Sequence, residues 1–346
     1  MPNTVTPSDR ILLVGDIHLM DRPPRSATES YVDDLFDLVA WTFDYAAQEG
    51  IRTVVWAGDV FHHKQPSRTS HALLLRLVLI LRRARKRGIE TWIVVGNHDI
   101  SNDIIDSVHK KQPLGILFES GLAHELDGWH DTLPIFGIPW QQRWLHENTV
   151  EDAFLRYRTA LGMEETDAPG ESSMVEPPEQ TLVVTHAPIY PPDQVENVPF
   201  ETLHAEDVAS AMRGRGNVYY GHIHEDHGFF KVGGVIFGNV GALSRGSIHE
   251  YNLERDVQVA TWSPTEGFEN IVVPIAKAAG DVFRIDEVVH QRSENLTRAA
   301  FLADIGSRTL EVADRANVIG EIQGMPNLTP KVRDRAIRIL EEVVDA

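Results

Sequence analysis

Five short hydrophobic runs in this chain each end in a polar block, and this repeated pattern constrains the fold more than any other feature. The runs are aliphatic or β-branched, which is typical of buried strands, and they span residues 11–14, 53–56, 92–95, 182–184 and 218–220. The blocks that follow them are Gly15-Asp16-Ile17-His18, Gly58-Asp59-Val60-Phe61-His62, Gly96-Asn97-His98-Asp99, Thr185-His186-Ala187 and Gly221-His222-Ile223-His224. In α/β proteins, ligand-binding residues gather at the carboxyl ends of the strands. The pattern therefore predicts an α/β fold with one polar site at the edge of its sheet.

The polar blocks together supply the side chains of a transition-metal site. They contain four imidazoles, two carboxylates and one amide, from Asp16, His18, Asp59, Asn97, His186, His222 and His224. Manganese, iron and zinc accept imidazole nitrogen and carboxylate oxygen, whereas calcium and magnesium sites are nearly all oxygen. This set is too large for one ion. Two ions about 3.5–4 Å apart share a bridging carboxylate and act together at phosphorus. The residues therefore predict a dinuclear site with Asp59 as the bridge.

The order of these blocks resembles that of the calcineurin-type metallophosphoesterases. The family pattern of Asp-x-His, Gly-Asp, Gly-Asn-His-Asp, a lone His and Gly-His-x-His is present without a substitution, and the resemblance covers roughly residues 9–245. Within that superfamily, Gly58-Asp59-Val60-Phe61-His62 followed by Gln65-Pro66-Ser67 is similar to DNA-repair nucleases of the SbcD type, in a compact, phage-like version. The resemblance implies an α/β sandwich of two sheets flanked by helices, with a small C-terminal α-rich region.

The same resemblance implies a role for each polar side chain. The first metal would be held by Asp16, His18, Asp59 and His224, and the second by Asp59, Asn97, His186 and His222. His98 is not needed as a ligand and is expected to protonate the leaving oxygen or stabilise charge in the transition state, with Asp99 as its orienting carboxylate. His62 is expected to position the phosphodiester. The alternative is a solvated histidine, since His63 follows it in a loop.

A loop at residues 238–245 is expected to lie beside the metals, as similar loops do in the family. Arg245 ends this loop and is either a phosphate contact or part of a structural turn. The hydrophobic runs around it, at residues 229–232, 235–237 and 257–261, are expected to form antiparallel strands that close the second sheet.

The net charge of −19 does not favour a polyanionic partner, because DNA affinity comes mostly from Lys and Arg. One segment is strongly basic despite this negative net charge, namely Arg82-Arg83-Ala84-Arg85-Lys86-Arg87. It either faces DNA or complements the C-terminus of a helix that ends before Gly88. Two bound dications would add local positive charge at the site, and a partner ATPase would add DNA affinity.

The chain is long enough for one large domain and one small one. Residues 1–273 are predicted to form the catalytic domain, and residues 274–346 a small capping and helical region with helices at 293–313 and 329–344. By the resemblance, this last region binds an ABC-type ATPase subunit of the SbcC type. Helices are also predicted at residues 31–48, 70–87 and 104–121. The last two either build a homodimer interface, as in the nuclease family, or pack on the sheet.

Composition favours a cytoplasmic protein, or one of the host cytoplasm if the source is viral. No apolar run is long enough to cross a membrane, the N-terminus lacks the features of a secretory signal, and there is no cysteine. The expected function is that of a DNA exonuclease or endonuclease in recombination or repair. It would use two divalent ions, manganese first, with iron, zinc or magnesium as alternatives. The alternative function is that of a metallophosphoesterase of small-molecule phosphodiesters or phosphoproteins.

Overall fold

The computed structural model of the chain describes residues 9–101, 107–141, 144, 149–161, 180–192, 194, 202–247, 250–284, 322, 329–330 and 332–337. The chain divides into two compact units, Met1–Arg284 and Ile285–Ala346. Residues 274–284 belong to the first unit, where Phe283 forms a β-bridge with Ala27. In the second unit, residues 332–337 are helical. The helix expected at 293–313 and half of that expected at 329–344 lie outside the described residues, and the separate domain at 274–346 stays a prediction.

Six strands form the first sheet, in the order β14-β13-β1-β2-β3-β4. Their bounds are β1 Ile11–Val14, β2 Thr53–Trp56, β3 Glu90–Ile93, β4 His124–Glu125, β13 Gln258–Ser263 and β14 Gly267–Val272. The strands β1 to β4 run parallel, whereas β13 is antiparallel to both β1 and β14. The expectation that residues 257–261 close the second sheet is wrong. Ala260 of β13 pairs with Leu13 of β1, because this buries Ala260 and Trp262 in the apolar layer between the sheets.

Six further strands form the second sheet, in the order β11-β12-β10-β7-β6-β5. Their bounds are β5 Gly128–Trp129, β6 Ile135–Ile138, β7 Leu182–His186, β10 Asn217–Gly221, β11 Asp226–Val232 and β12 Val235–Val240. The four inner strands run parallel, and the edge strands β5 and β11 are antiparallel to their neighbours. A separate short pair is formed by β8 Ile189–Tyr190 and β9 Leu203–His204.

Helices connect the strands of both sheets. Their bounds are α1 Tyr31–Gln48, α2 His71–Lys86, α3 Ser107–Lys111, α4 Pro113–Glu119, α5 Thr149–Ala160, α6 Ala205–Ala211, α7 Glu250–Glu254 and α8 Ala279–Val282. The prediction of one helix over 104–121 is wrong, because Pro113 has no N–H group and holds Gln112 in an extended conformation. Within the described residues, no helix combines the length and the apolar character needed to cross a membrane.

The basic run at residues 82–87 closes α2 and contacts the protein itself. Arg83 lies 3.2 Å from the carboxylate of Asp44 in α1, and Arg87 pairs with the same carboxylate. Arg85 donates to the carbonyl oxygen of Gly121 at 2.5 Å. For these three arginines, the structure favours a role at the end of the helix rather than a free basic surface.

Two apolar layers hold the sheets in place. Leu13 of β1 and Val184 of β7 lie in the layer between the two sheets. Val183 points to the opposite face, where it packs with Phe154 of α5 and Val208 of α6. Neighbouring residues of one strand thus pack in different layers, because successive side chains of a strand point to opposite faces of the sheet. The predicted α/β sandwich of two sheets flanked by helices is confirmed.

Candidate metal centre

The predicted metal ligands lie together at the carboxyl ends of the inner strands. Those of the first sheet are Asp16, His18, Asp59 and Asn97, and those of the second are His186, His222 and His224. Since β1, β2 and β3 are parallel, and β7 and β10 are parallel, each sheet presents its ligands at one edge. The two edges meet, and the ligands of both sheets face one another.

The ligand atoms form two groups. One atom from each of Asp16, His18 and His224 lies within 4.8 Å of the others, and the same holds for Asp59, His186 and His222. One carboxylate oxygen of Asp59 is 3.6 Å from Nε2 of His18, and the other is 3.4 Å from Nε2 of His186. Asp59 therefore faces both groups, as a bridging carboxylate does. Each group falls within one of the two ligand sets that the resemblance implies, and the assignment of the ligands stays a prediction.

Further contacts direct the remaining donor atoms toward the same two points. Nε2 of His18 is 2.9 Å from Nε2 of His224. The side-chain oxygen of Asn97 is 3.0 Å from Nε2 of His186 and 3.1 Å from Nδ1 of His222. Lone pairs that face one another at these distances are unfavourable unless a proton or a cation lies between them. The arrangement therefore suits bound cations.

Two glycines allow the sheets to approach one another around His186. A Cβ atom on Gly58 would lie 2.2 Å from Nδ1 of His186, and one on Gly221 would lie 2.2 Å from the carbonyl oxygen of Ala57. That carbonyl oxygen accepts a hydrogen bond from Nδ1 of His186 at 2.7 Å. The bond places one proton on Nδ1, so Nε2, which faces Asp59, is the nitrogen that would bind a metal. The glycines are thus required by the close packing of this ring.

The backbone is strained at three of the proposed ligands. Positive φ angles occur at His18 (51°), Asp59 (48°) and His222 (85°). In the part of the chain that the structure describes, Arg213 is the only other non-glycine residue with this conformation. It costs of order 1–3 kcal/mol per residue, and residues that adopt it cluster at functional sites. The turns after β1, β2 and β10 therefore store strain where they carry a ligand into the centre.

Burial and the neighbouring charges act in opposite directions on the pKa values of the buried carboxylates and of His186. Asp16, Asp59 and His186 are at most 2% exposed. Burial raises the pKa of Asp16 to about 7, which the nearby charge of His186 opposes. Burial also disfavours ionised Asp59, but His186 and His18 hold its pKa well below the ordinary value. Burial disfavours the charged form of His186 as well, yet the carboxylates of Asp59 and Asp16 raise its pKa to about 9.

The remaining histidines are held in the neutral form. Burial lowers the pKa of His222 to about 3 and that of His224 to about 4. Burial likewise holds the pKa of His18 well below the ordinary value. Neutral imidazole is the form that binds a metal. Mixed nitrogen and oxygen donors, buried and oriented in this way, fit two borderline divalent ions.

His98 and His62 lie beside this centre. The His98 ring is 4.9 Å from the His18 ring, and one ring nitrogen each from His18, His62 and His98 forms a further close group. Nδ1 of His98 is 2.5 Å from the carbonyl oxygen of His62 and donates to it. Nε2 of His98 is therefore the ring nitrogen that remains for contact with a substrate. Burial lowers the pKa of His62 to about 4, and His63 and His98 add to the effect.

Asp99 does not orient the His98 ring as expected. Its carboxylate is buried and accepts backbone N–H groups from Val60 at 3.0 Å, Phe61 at 3.3 Å and Gly96 at 3.1 Å. The hydrogen-bond partner of the ring is the carbonyl group of His62 instead. These N–H groups have no partner in a strand, and the Asp99 carboxylate satisfies them. Asp99 thereby joins the turn after β2 to the turn after β3.

Arg245 does not face the metal centre as a free phosphate contact. Its side chain donates to the carbonyl oxygens of Lys277 at 2.6 Å and Arg255 at 2.9 Å, and the residue is 8% exposed. The guanidinium group is therefore engaged by the backbone of two neighbouring segments. The interpretation as a structural turn is the one that the structure favours.

Trp140 and Trp144 are site residues that the sequence analysis missed. The Trp140 ring lies 4.8 Å from the His222 ring, and Nε1 of Trp144 donates to the carbonyl oxygen of His186 at 3.1 Å. Trp140 follows β6, a hydrophobic run that ends at the same edge of the second sheet. That position after a buried strand is the signal that could have identified it.

Comparison with known proteins identifies the family. The family model for calcineurin-like phosphoesterases matches residues 9–226. The chain belongs to this family. The predicted superfamily is thereby confirmed, and with it the expectation of a hydrolase. The family depends on a dinuclear metal centre, and the structure brings together residues that could hold it.

Individual relatives are more distant. The chain is 28% identical over 149 residues to the DNA double-strand break repair protein Mre11 of Halobacterium salinarum. The match covers 41% of this chain and 35% of that relative. Among solved structures, a dimetal phosphatase from Danio rerio is 13% identical with a TM-score of 0.44, and covers 77% of this chain and 99% of that chain. A protein from Thermus thermophilus is 10% identical with a TM-score of 0.46, and covers 76% of this chain and 98% of that chain.

Proposed function

We propose that this protein is a dinuclear-metal-dependent phosphodiesterase that cleaves DNA in recombination or repair, with manganese as the preferred ion. The main support for a dinuclear centre is the position of Asp59, whose two carboxylate oxygens face separate ligand groups. The first ion would be held by Asp16, His18, Asp59 and His224, and the second by Asp59, Asn97, His186 and His222. When bound, such a pair of ions would activate a water molecule and stabilise charge on the attacking and leaving oxygens at phosphorus.

Two histidines that are not metal ligands, His98 and His62, would act directly on the substrate. The bond from Nδ1 of His98 to the His62 carbonyl oxygen aims Nε2 away from the loop. From there, His98 would protonate the leaving oxygen or stabilise charge on it, an effect typically worth about 10²–10⁴ in rate. His62 would position the phosphodiester, since its ring lies beside those of His18 and His98 without being needed as a ligand.

DNA is the proposed substrate because of the sequence around Gly58 to Ser67 and the similarity to a DNA-repair protein. That similarity spans about a third of the relative, so its substrate and partners come to this chain as proposals. The net charge of −19 opposes DNA binding, and two dications at the centre would offset it locally. An ABC-type ATPase subunit of the SbcC type is the proposed partner that supplies further affinity.

A homodimer is the proposed assembly. Leu75 and Leu79 of α2 and Ile116 of α4 are large apolar side chains that are each more than half exposed. A pair of helices that presents such residues fits a second copy of the same surface.

The substrate is tested by hydrolysis assays with manganese on linear double-stranded DNA, single-stranded DNA and a chromogenic phosphodiester. DNA should be cleaved, and cleavage should fall as salt is added, because binding a polyanion releases counterions. His62→Ser should impair DNA cleavage while both ions stay bound. His63→Ser, in the same loop, is the matched control and should cleave normally. Brisk hydrolysis of the chromogenic substrate with intact DNA, with and without an ATPase partner, would favour a small-molecule or phosphoprotein substrate.

A further inference from the structure

The last two residues of β12 and the loop that follows them, residues 239–245 together, are here called the clamp loop and contact both halves of the metal centre. The Ser244 N–H group donates to the carbonyl oxygen of Asp16 at 3.3 Å, and the Ala242 N–H group donates to that of His224 at 3.2 Å. The loop is held from behind by Arg255, which donates to the carbonyl oxygens of Ala242 at 2.7 Å and Ser244 at 2.8 Å. It therefore joins the turn after β1 to the turn after β10.

Asn239 makes the side-chain contacts between this loop and the turn that carries His222. Its Nδ2 donates to the carbonyl oxygens of Tyr220 at 3.1 Å and Ile223 at 3.0 Å, one on each side of His222. Its Oδ1 accepts from the Gly241 N–H group at 2.7 Å. The residue is 2% exposed. One buried amide thus uses both donor hydrogens to span the turn and its oxygen to fix its own loop.

The turn needs such a support because it is strained. His222 has a φ of 85°, a conformation that a residue with a side chain rarely adopts. In this conformation its N–H group lies 3.1 Å from both carboxylate oxygens of Asp16, while its imidazole faces Asn97. A turn that relaxed to negative φ would move the imidazole away from Asn97, and the second metal site would change most.

We propose that Asn239 is a positioning residue for the metal centre. By bridging Tyr220 and Ile223 it holds His222 in the conformation that directs the imidazole at the second ion. The inference rests on the proposed dinuclear centre. The loop at residues 238–245 was expected to contribute to the site through Arg245. The proposal assigns that contribution to Asn239 instead.

Asn217 provides a matched control on the same strand. It is also buried, at 4% exposure, and its Nδ2 donates to the carbonyl oxygen of Thr181 at 3.2 Å. Asn217 begins β10, whereas the ligands follow the end of that strand. Its replacement removes a comparable buried hydrogen bond far from the metals. A purely structural effect should therefore be similar in the two variants.

The test measures manganese binding to the metal-free protein by calorimetry, with thermal unfolding recorded in parallel. The wild type should bind two ions. Asn239→Ala should bind one of them about 10–100-fold more weakly, the range for loss of a group that orients a ligand. Asn217→Ala should bind both ions normally, although both variants unfold at lower temperature. Asn239→Ser, which keeps one donor and one acceptor, should be intermediate and less prone to unfold.

Manganese EPR gives a second readout that stability does not move. Wild type loaded with two ions should show a spin-coupled pair, and Asn239→Ala at the same concentration should show mainly the signal of single ions. Equal loss of affinity in the Asn217 and Asn239 variants, wild-type affinity in Asn239→Ala, or failure of both Asn239 variants to fold would overturn the proposal. A wild type that binds fewer than two ions would overturn the dinuclear centre itself.

Discussion

At the scale of single residues, Asp59 and His98 are neighbours with different contacts. The carboxylate of Asp59 faces His18 with one oxygen and His186 with the other. The imidazole of His98 bonds to the His62 carbonyl oxygen, and only its backbone N–H group reaches Asp59, at 2.8 Å. The geometry therefore separates a residue that would hold both ions from a residue that would act on the substrate.

This separation predicts different defects in two variants. His98→Ala should keep both manganese ions and lose about 10²–10⁴ in turnover, as expected for loss of a general acid or of a charge-stabilising group. Asp59→Ala should lose the bridge and with it the ions. Metal content measured by elemental analysis after gel filtration, beside kcat on the chromogenic phosphodiester, distinguishes the two. Equal metal content in both variants would contradict the division of roles.

At the scale of elements, the site depends on how closely β2, β7 and β10 approach at their carboxyl ends. Gly221, the last residue of β10, has no side chain, and its Cα faces the carbonyl group of Ala57 after β2. The same carbonyl group fixes the His186 ring at the end of β7. A change at Gly221 that displaces the Ala57 carbonyl group would therefore move the His186 ring, although His186 itself is unaltered.

Gly221→Ala should consequently impair metal binding. Its Cβ would lie 2.2 Å from the Ala57 oxygen and 3.0 Å from Nδ1 of His186, so the strand must shift by more than a side-chain adjustment allows. Overpacking of this kind typically costs about 1–3 kcal/mol in unfolding free energy. Gly246→Ala is the control, because no atom lies within 4 Å of its added Cβ. Denaturant unfolding and manganese titration should show defects in the first variant and none in the second.

At the scale of the whole molecule, the surface combines a large negative net charge with exposed apolar side chains on α2 and α4. Leu75 is 56% exposed and Leu79 is 54% exposed on α2, and Ile116 on the nearby α4 is 53% exposed. Leu73, Leu77 and Leu81 occupy the buried face of α2, so the exposed leucines are not needed to pack the helix on its sheet. They are available to a second copy of the chain.

A charge on the exposed face of α2 should therefore change the oligomeric state. Leu79→Glu should convert a dimer to a monomer in analytical ultracentrifugation, because an unpaired carboxylate would be buried at the interface. Val272→Glu, at a residue that is 52% exposed on β14, serves as the control and should leave the dimer intact. A wild type that is monomeric at high concentration would exclude the proposed assembly.

Much of the fold and of the site followed from local patterns. The runs at 11–14 and 53–56 are strands with those bounds, and the helix at 31–48 begins and ends as predicted. The polar blocks lie at strand ends and meet at one place, because parallel strands present the same end at one edge. Period and residue type act over a few neighbours, so these features can be inferred without knowing the fold.

Contacts between distant parts of the chain decided the rest. The strand β13 joins the first sheet because its apolar face fits between the sheets. Arg245 is captured by carbonyl groups that lie 10 and 32 residues away, and Asp99 by N–H groups that lie 38 and 39 residues away. The sequence by itself determined the strands and helices that carry the polar blocks and the order of those blocks along the chain. Only the tertiary structure decided which partner each polar side chain finds, because a hydrogen bond depends on where the folded backbone places its donor and acceptor.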